Sequence, residues 1–206
     1  MLLGCVILTG CGSKMQPVES DSLGGTVAEE YSETVGEHSE AVEEYSEATE
    51  SSQASTEEKY YLTFSAKDVD GVEVTSDILA ASKLTMLNVW ATYCNPCLEE
   101  MPYLGELAAE YDSTEFQIVG ILSDVSEQSP QEDIYYAKEL IARTKADYPH
   151  LLLGQDLYST LVGGVNAVPT TFFVKQDGEV LGYVTGAADK ATWKELIDEL
   201  LAQVEE

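Results

Sequence analysis

Two cysteines separated by two residues, Cys94 and Cys97, are the side chains in this sequence best suited to chemistry. They follow an apolar run at residues 85–91 and stand at the start of a helix predicted over residues 96–111. A thiol attacks only as the thiolate, and the unpaired N–H groups of a helix N-terminus stabilise that charge. Pro96 suits the first helical turn because it loses no hydrogen bond there. The spacing therefore predicts a dithiol that is oxidised to a disulfide and reduced again.

The residues alone leave two other uses of this cysteine pair open. A structural disulfide is one, although it would be unusual in so tight a loop. A zinc site is the other, but structural zinc takes four ligands and the domain offers only Cys94, Cys97 and the distant His150. His150 is predicted to be a loop residue without a catalytic role. We therefore favour redox chemistry and expect no metal and no cofactor.

The elements that must position the pair alternate between strands and helices. Strands are predicted at residues 60–64, 73–75, 85–91, 116–122, 151–153, 170–175 and 179–185, and helices at residues 96–111, 131–145, 157–162 and 191–204. Asp70-Gly71 and Asp177-Gly178 indicate hairpin turns, and Asp189 is expected to cap the last helix. This order predicts an α/β fold, a central mixed β-sheet flanked by helices with an N-terminal β-hairpin extension.

The cysteine segment resembles the active-site motif of the thioredoxin superfamily and, within it, that of the membrane-anchored TlpA/ResA-like disulfide reductases. Trp90 stands four residues before the first cysteine, and Asn88 occupies the place where cytoplasmic thioredoxins keep a buried Asp. Glu100 and Pro102 match the Cys-x-x-Glu-x-Pro run of this subfamily. The sequence Val-Pro-Thr-Thr-Phe at residues 168–172 resembles its cis-proline loop. The resemblance covers residues 60–206 and implies a thioredoxin-like fold for them.

The resemblance also implies a role for each matched residue. Cys94 is expected to attack a substrate disulfide, and Cys97 to resolve the mixed disulfide by attacking Cys94. Glu100 is expected to lie beside the sulfurs and to exchange a proton with Cys97, its pKa raised by partial burial. The alternative for Glu100 is a surface carboxylate like its neighbour Glu99. The residues expected to contact substrate are Trp90, Asn95, Pro96, Val168 and Pro169.

A second pair of cysteines, Cys5 and Cys11, lies in a different context near the N-terminus. Residues 1–10 are apolar but far shorter than the roughly 20 residues that span a bilayer, and they are predicted to be a signal peptide. Leu8-Thr9-Gly10-Cys11 resembles the lipobox of bacterial lipoproteins, which implies lipidation of Cys11 and a location on the extracytoplasmic face of the cell membrane. An apolar N-terminus with an incidental cysteine is the alternative.

The charge of the chain is strongly acidic, with a formal net value of −28. This excess argues against binding nucleic acid and against electrostatic docking on anionic lipid. Residues 11–59 are predicted to be an acidic disordered tether, because residues 12–58 hold 13 acidic residues, one lysine and few large apolar residues. The sequence Glu-Glu-Tyr-Ser-Glu occurs at residues 29–33 and again at residues 43–47, which leaves a transient helix or self-association element as the alternative.

The pair of residues between the cysteines indicates the direction of the reaction. Strong oxidants of the superfamily usually carry a His there, whereas this chain carries Asn95 and Pro96. We therefore predict an extracytoplasmic thiol–disulfide oxidoreductase that reduces disulfides of exported proteins. The resemblance suggests apocytochrome c or a methionine sulfoxide reductase as partner and a membrane thiol-electron transporter as reductant. The alternatives are a peroxiredoxin-like thiol peroxidase and a non-catalytic lipoprotein binding module with a structural disulfide.

Overall fold

The computed structural model describes residues 59–204. The strands are β1 Ser65–Lys67, β2 Glu73–Thr75, β3 Leu84–Trp90, β4 Phe116–Ser126, β5 His150–Leu153, β6 Thr170–Lys175 and β7 Val180–Thr185. The α-helices are α1 Asn95–Glu110, α2 Gln131–Thr144, α3 Gln155–Thr160 and α4 Lys190–Val204, and short 3-10 helices cover Ser76–Ala81 and Val162–Gly164. The residues predicted to form the signal peptide, the lipidated Cys11 and the tether lie outside the described residues, except for Lys59. No helix within residues 59–204 has the length and apolar character to cross a membrane.

Five strands form the central sheet in the order β5–β4–β3–β6–β7. Strands β3, β4 and β5 run parallel, whereas β6 is antiparallel to β3 and β7 is antiparallel to β6. All residues of β3 are buried, because other elements cover both faces of the sheet at its centre. A strand buried on both faces reads as a continuous apolar run, and this is the pattern seen in the sequence. The predicted mixed sheet is confirmed.

Successive residues of β3 point to opposite faces of the sheet, so the strand contributes to two cores. On one face, Met86 and Trp90 pack in buried clusters with residues of α1, α2 and α4. On the other face, Leu87 and Val89 pack in a cluster that includes Leu157 of α3. The sheet therefore lies between three long helices and one short one, and the C-terminal end of β3 is fixed from both sides.

The N-terminal extension is a β-hairpin formed by β1 and β2, as predicted, although no strand was predicted at the position of β1. Its turn is closed by the Asp68 carboxylate, whose Oδ1 accepts hydrogen bonds from the backbone N–H groups of Asp70 and Val72 at 2.9 Å each. Gly71 has φ of 85°, a value that glycine adopts at little cost. Val69 donates its backbone N–H to the carbonyl of His150 at 3.0 Å, so the hairpin is joined to the β5 edge of the sheet.

The strand predicted at residues 60–64 is wrong. This segment makes only an isolated bridge, Tyr61 with Glu179, beside the start of β7. Its alternating pattern has another cause, since Leu62 and Phe64 are 2% and 5% exposed and pack into the core on the α3 face. Alternate burial of a loop against a sheet face gives the same two-residue period as a strand.

Most other boundaries agree with the sequence to within one or two residues, and three differences stand out. Strand β4 continues to Ser126, four residues beyond the predicted end. His150 is the first residue of β5 and is 2% exposed, so its placement in a loop was wrong. The predicted helix at residues 157–162 is α3, which begins two residues earlier and ends at Thr160.

The predicted cap of α4 is present, as the Asp189 carboxylate accepts a hydrogen bond from the backbone N–H of Thr192 at 2.8 Å.

Candidate active site

The cysteine pair lies where β3 gives way to α1. Strand β3 ends at Trp90 and α1 begins at Asn95, with Cys94 as the residue that caps the helix. Cys94 and Cys97 form a disulfide with an S–S distance of 2.03 Å and a Cα–Cα distance of 5.3 Å. The Cys94 sulfur accepts a hydrogen bond from the backbone N–H of Cys97 at 3.3 Å. When the pair is reduced, this N–H and the positive end of the helix dipole are placed to stabilise a thiolate on Cys94.

The two cysteines differ in their access to solvent. Cys94 is 5% exposed and Cys97 is 0% exposed, while Asn95 and Pro96 between them are exposed. A partner sulfur can therefore approach Cys94 over the Asn95–Pro96 surface, whereas Cys97 is reached only from Cys94. This asymmetry is what an attacking and a resolving thiol require.

The loop before β6 faces the disulfide. Its Val168–Pro169 peptide bond is cis, as the resemblance predicted. The carbonyl oxygen of Val168 lies 3.5 Å from the Cys94 sulfur, a contact that a disulfide cannot turn into a hydrogen bond because it carries no S–H. The carbonyl of Pro169 accepts a hydrogen bond from the backbone N–H of Gly186 at 2.8 Å, which anchors the loop to the end of β7.

A shallow groove of about 320 Å³ adjoins the disulfide, and none of its lining side chains is charged. Tyr93, immediately before the first cysteine, and Val168 lie at its active-site end. Tyr93 and Tyr158 are 74% and 54% exposed, so two largely exposed aromatic rings line the groove. The remaining lining residues are Ser123, Leu153, Val162, Gly163, Val165, Asn166 and Ala167. In a chain of net charge −28 this surface therefore stands out by carrying no charged side chain.

Glu100 is buried, at 2% exposed, and the alternative of a surface carboxylate is therefore wrong. Its Oε1 accepts a hydrogen bond from Asn88 Nδ2 at 3.1 Å, and its Oε2 accepts from the backbone N–H of Ala188 and from Trp193 Nε1, both at 3.2 Å. Burial raises the pKa of Glu100 above its ordinary value, and the three donors oppose this shift. None of its described hydrogen bonds reaches a sulfur.

Trp90 is fully buried beside the pair, and its indole has one described hydrogen-bond partner. Its indole N–H donates to Nδ1 of His150 at 3.2 Å, and the two rings meet edge to face with centroids 5.6 Å apart. Trp90, Cys94 and Cys97 belong to one buried cluster between the sheet, α1 and α2. The indole therefore forms part of the wall behind the disulfide.

Comparison with known proteins agrees with this geometry. The Redoxin family matches residues 54–198, well over half of the chain. The chain belongs to the Redoxin family. Thiol-disulfide oxidoreductase ResA of Oceanobacillus iheyensis is 36% identical over 109 residues, which cover 51% of this chain and 50% of that protein. The protein of the same name from Bacillus thuringiensis is 30% identical over 129 residues, which cover 62% of this chain and 68% of that protein.

The solved structures give the same result for the fold. The thiol:disulfide interchange protein of the thioredoxin family from Chlorobium tepidum superposes with a TM-score of 0.57 at 25% identity, covering 68% of this chain and 94% of that one. The Redoxin domain is thus a TlpA/ResA-like thiol–disulfide oxidoreductase domain of the thioredoxin superfamily, as its motifs predicted. The match spans about half to two thirds of the curated relatives' length.

Some residues of the Redoxin site were missed by reasoning from the sequence. Asp124 Oδ2 accepts hydrogen bonds from the backbone N–H and the hydroxyl of Thr92, which fixes the turn that carries the cysteines. Tyr93 could have been found from its place before Cys94, but nothing in the sequence marks Tyr158 or Trp193 as neighbours of the site. Within residues 59–204, no three His, Cys, Asp or Glu side chains are grouped so as to hold a metal ion.

We expect acid to destabilise the Redoxin domain through His150. Burial lowers the pKa of His150 to about 4, whereas an unfolded histidine titrates near 6.5. Between these values the unfolded chain binds the extra proton, so the free energy of unfolding falls as the pH is lowered through this window. The shift corresponds to about 3 kcal/mol in the free energy of unfolding. Above about pH 6.5 the imidazole is neutral in the folded and the unfolded chain, so this contribution no longer changes with pH.

This effect is measured by urea unfolding between pH 4 and pH 7 of the wild type and of His150→Gln. Glutamine does not titrate, so the difference in unfolding free energy between the two proteins should change by about 3 kcal/mol across the window. The raised pKa of Glu100 acts in the opposite direction, but it is common to both proteins and cancels in the difference. A difference that stays constant with pH would show that His150 is not buried in the neutral form.

Proposed function

We propose that the Redoxin domain reduces disulfides of exported proteins through the dithiol of Cys94 and Cys97. The observation that carries this proposal is the disulfide at the N-terminus of α1, with Cys94 alone open to a partner and the Val168 carbonyl 3.5 Å from its sulfur. The relatives named thiol-disulfide oxidoreductase support the class of reaction. The uncharged groove supports a peptide as the substrate, since an extended segment can lie along it beside the sulfur.

The reaction proceeds in two exchange steps that conserve atoms and electrons. The Cys94 thiolate attacks one sulfur of the partner disulfide, a mixed disulfide forms, and the other partner sulfur leaves as a thiolate that takes up a proton. Cys97 then loses its proton and attacks the Cys94 sulfur, which releases the partner as a dithiol. The domain gives up two electrons and is left with its own disulfide, the state seen in the structure. A membrane thiol-electron transporter is the proposed source of electrons for its reduction.

The direction follows from the residues between the cysteines, which add no positive charge to the stabilisation that the Cys97 N–H and the helix N-terminus give a Cys94 thiolate. Asn95 and Pro96 carry no positive charge, and the Glu100 carboxyl in the same helix disfavours a second negative charge nearby. A weakly stabilised thiolate favours the disulfide form of the domain and so makes its dithiol a reductant. Equilibration with glutathione buffers should give a reduction potential below about −200 mV, near those of reducing members of the superfamily. A value above about −150 mV, towards the strong oxidants, would overturn the reductant assignment.

The proposed location is the extracytoplasmic face of the cell membrane, with the lipid on Cys11. The support is the Leu8-Thr9-Gly10-Cys11 segment, and the acidic residues 12–58 would then link the lipid to the domain. Two acyl chains anchor a protein firmly because each buried methylene contributes about 0.8 kcal/mol. Disulfide-bearing exported proteins such as apocytochrome c or a methionine sulfoxide reductase are the proposed partners.

The anchor is tested by replacing each N-terminal cysteine separately in the full chain. Cys11→Ser should abolish incorporation of labelled fatty acid and move the protein from the membrane to the soluble fraction. Cys5→Ser is the matched control and should leave both unchanged, because Cys5 lies outside the lipobox. Retention of Cys11→Ser in the membrane fraction would contradict the lipid anchor.

A further inference from the structure

The indole of Trp90 has one described hydrogen bond, which it makes to a single side chain. The indole is 0% exposed, so its N–H has no access to water, and the single described acceptor is Nδ1 of His150 at 3.2 Å. An indole nitrogen donates and does not accept. Removing the acceptor would leave a buried donor unsatisfied directly behind the redox pair.

The partners of His150 determine its protonation state. Its Nε2 lies 3.1 Å from the backbone carbonyl of Ala146, which can only accept, so Nε2 carries the hydrogen. Its Nδ1 must then offer a lone pair to the Trp90 N–H. A proton on Nδ1 would point an imidazole N–H at the indole N–H of Trp90, and neither group can accept a hydrogen bond. The arrangement therefore requires the neutral imidazole with hydrogen on Nε2.

The surrounding fold reserves space for this imidazole. A Cβ atom at Gly120 of β4 would lie 2.2 Å from His150 Nδ1, so a side chain at that position would displace the ring. The Tyr148 ring also stacks on the imidazole, with centroids 4.5 Å apart and an angle of 27° between the planes. The position of the acceptor is therefore fixed by β4 and by the segment before β5.

We propose that His150 is a positioning residue for the Cys94–Cys97 pair, acting by holding the Trp90 indole against the buried cluster that contains both sulfurs. This inference rests on the proposed function and names a residue that sequence reasoning had assigned to a loop. Cys97 is 0% exposed, so in the reduced domain its S–H has no water to donate to. An indole that is no longer held admits water to Cys97, and water hydrogen-bonds to the S–H of the reduced pair, which the disulfide does not have. Loss of His150 therefore favours the reduced form of the pair.

The test measures the equilibrium of the pair with glutathione in the full chain, with Cys5 and Cys11 replaced by serine so that only one disulfide can form. His150→Leu keeps a side chain of similar size and removes both hydrogen-bonding atoms. We expect it to shift the equilibrium constant about tenfold towards the dithiol, which is 29.6 mV for this two-electron couple. His150→Gln offers an amide oxygen to Trp90 and an amide N–H to Ala146, and we expect it to stay within about twofold of the wild type.

A control separates positioning from general loosening of the core. Ile197→Ala in α4 opens a cavity in the cluster around Trp193, on the part of the core that does not contain the cysteines. It should lower stability and leave the glutathione equilibrium within about twofold of the wild type. If Ile197→Ala shifts the equilibrium as far as His150→Leu does, or if His150→Leu does not shift it, the proposal is overturned.

If His150→Leu fails to fold, a measurement on the unmodified domain still tests the proposal. Nitrogen-15 NMR should show the hydrogen of His150 on Nε2 and slow exchange of the Trp90 indole N–H in both redox states. Hydrogen on Nδ1, or fast exchange of that indole, would overturn the proposal. The glutathione equilibrium needs no protein substrate, so failure to reduce protein disulfides would count against the proposed function alone.

Discussion

Replacing Cys97 with alanine should stop turnover and leave the partner protein joined to Cys94. Cys94 keeps its place at the helix N-terminus and still attacks, but no thiol is then held against the mixed disulfide. An intramolecular thiol acts at effective concentrations far above those of external thiols, so its loss should lower turnover of protein disulfides by at least about 10³-fold. Alanine is preferred to serine because position 97 is 0% exposed and a hydroxyl there would lack a partner.

The adduct is measured on non-reducing gels, and mass spectrometry of the band released by reductant identifies the partner. The double variant Cys94→Ala/Cys97→Ala is the matched control and should give no adduct, which separates capture by Cys94 from unspecific association. Cys5 and Cys11 are replaced by serine in all proteins, so that no other thiol of the chain can resolve the bond. Undiminished turnover by the Cys97→Ala protein would end the dithiol mechanism.

Replacing Glu100 should slow the resolving step without preventing capture. Cys97 must lose a proton before it attacks, and a carboxylate with a raised pKa is a suitable acceptor in that step. We expect Glu100→Gln to slow release from a preformed mixed disulfide between Cys94 and glutathione by about 10²-fold at pH 7. In the wild type the rate should rise as the pH passes the Glu100 pKa, and in the variant this rise should be absent.

The choice of substituent at Glu100 separates proton transfer from stability. Leucine leaves the donors on Asn88, Ala188 and Trp193 without an acceptor and should lower the free energy of unfolding by about 2–4 kcal/mol. Glutamine should cost less, because Asn88 Oδ1 has no partner and can accept from the new amide after a flip of the Asn88 side chain.

Glu99→Gln is the matched control for Glu100→Gln, since Glu99 is the exposed neighbour in the same helical turn. It should leave the release rate and its dependence on pH unchanged. Equal slowing by both substitutions would mean that the charge of the helix, and not a proton on Glu100, governs the step. Stopped-flow measurement of glutathione release between pH 5 and pH 9 distinguishes the two explanations.

The features that could be predicted from the sequence are those encoded by neighbouring residues. The Cys94–Cys97 spacing, the cap at Asp189 and the turn at Gly71 each depend on a few adjacent positions, and all appear in the structure. The apolar run of β3 correctly predicted a central strand, because a strand that is buried on both faces is apolar at nearly every position. The cis bond before Pro169 came from the family resemblance and not from local physics.

The features that could not be predicted depend on contacts between residues far apart in the chain. Glu100 accepts hydrogen bonds from Asn88 on β3 and from Trp193 on α4, and Trp193 lies 93 positions after Glu100 in the chain. His150 reads as an isolated polar residue until Trp90, 60 positions before it, supplies a donor. The segment containing Leu62 alternates like a strand although it packs as a loop. No pattern within a window of ten or twenty residues carries this information.

The point at which the chain enters the domain has a mechanical consequence. Tyr61 pairs with Glu179 at the turn between β6 and β7, whereas Pro169 and the cysteines lie at the other end of these strands. Six residues of β6 put roughly 17 Å between the two ends. A pull on the backbone at Lys59 would therefore act first on the backbone hydrogen bonds of Tyr60 and Leu62 with Val180 and Gly178, at the end of the sheet opposite the cysteines. Attachment of the domain through this end, as proposed above, would leave the end that carries the disulfide unloaded.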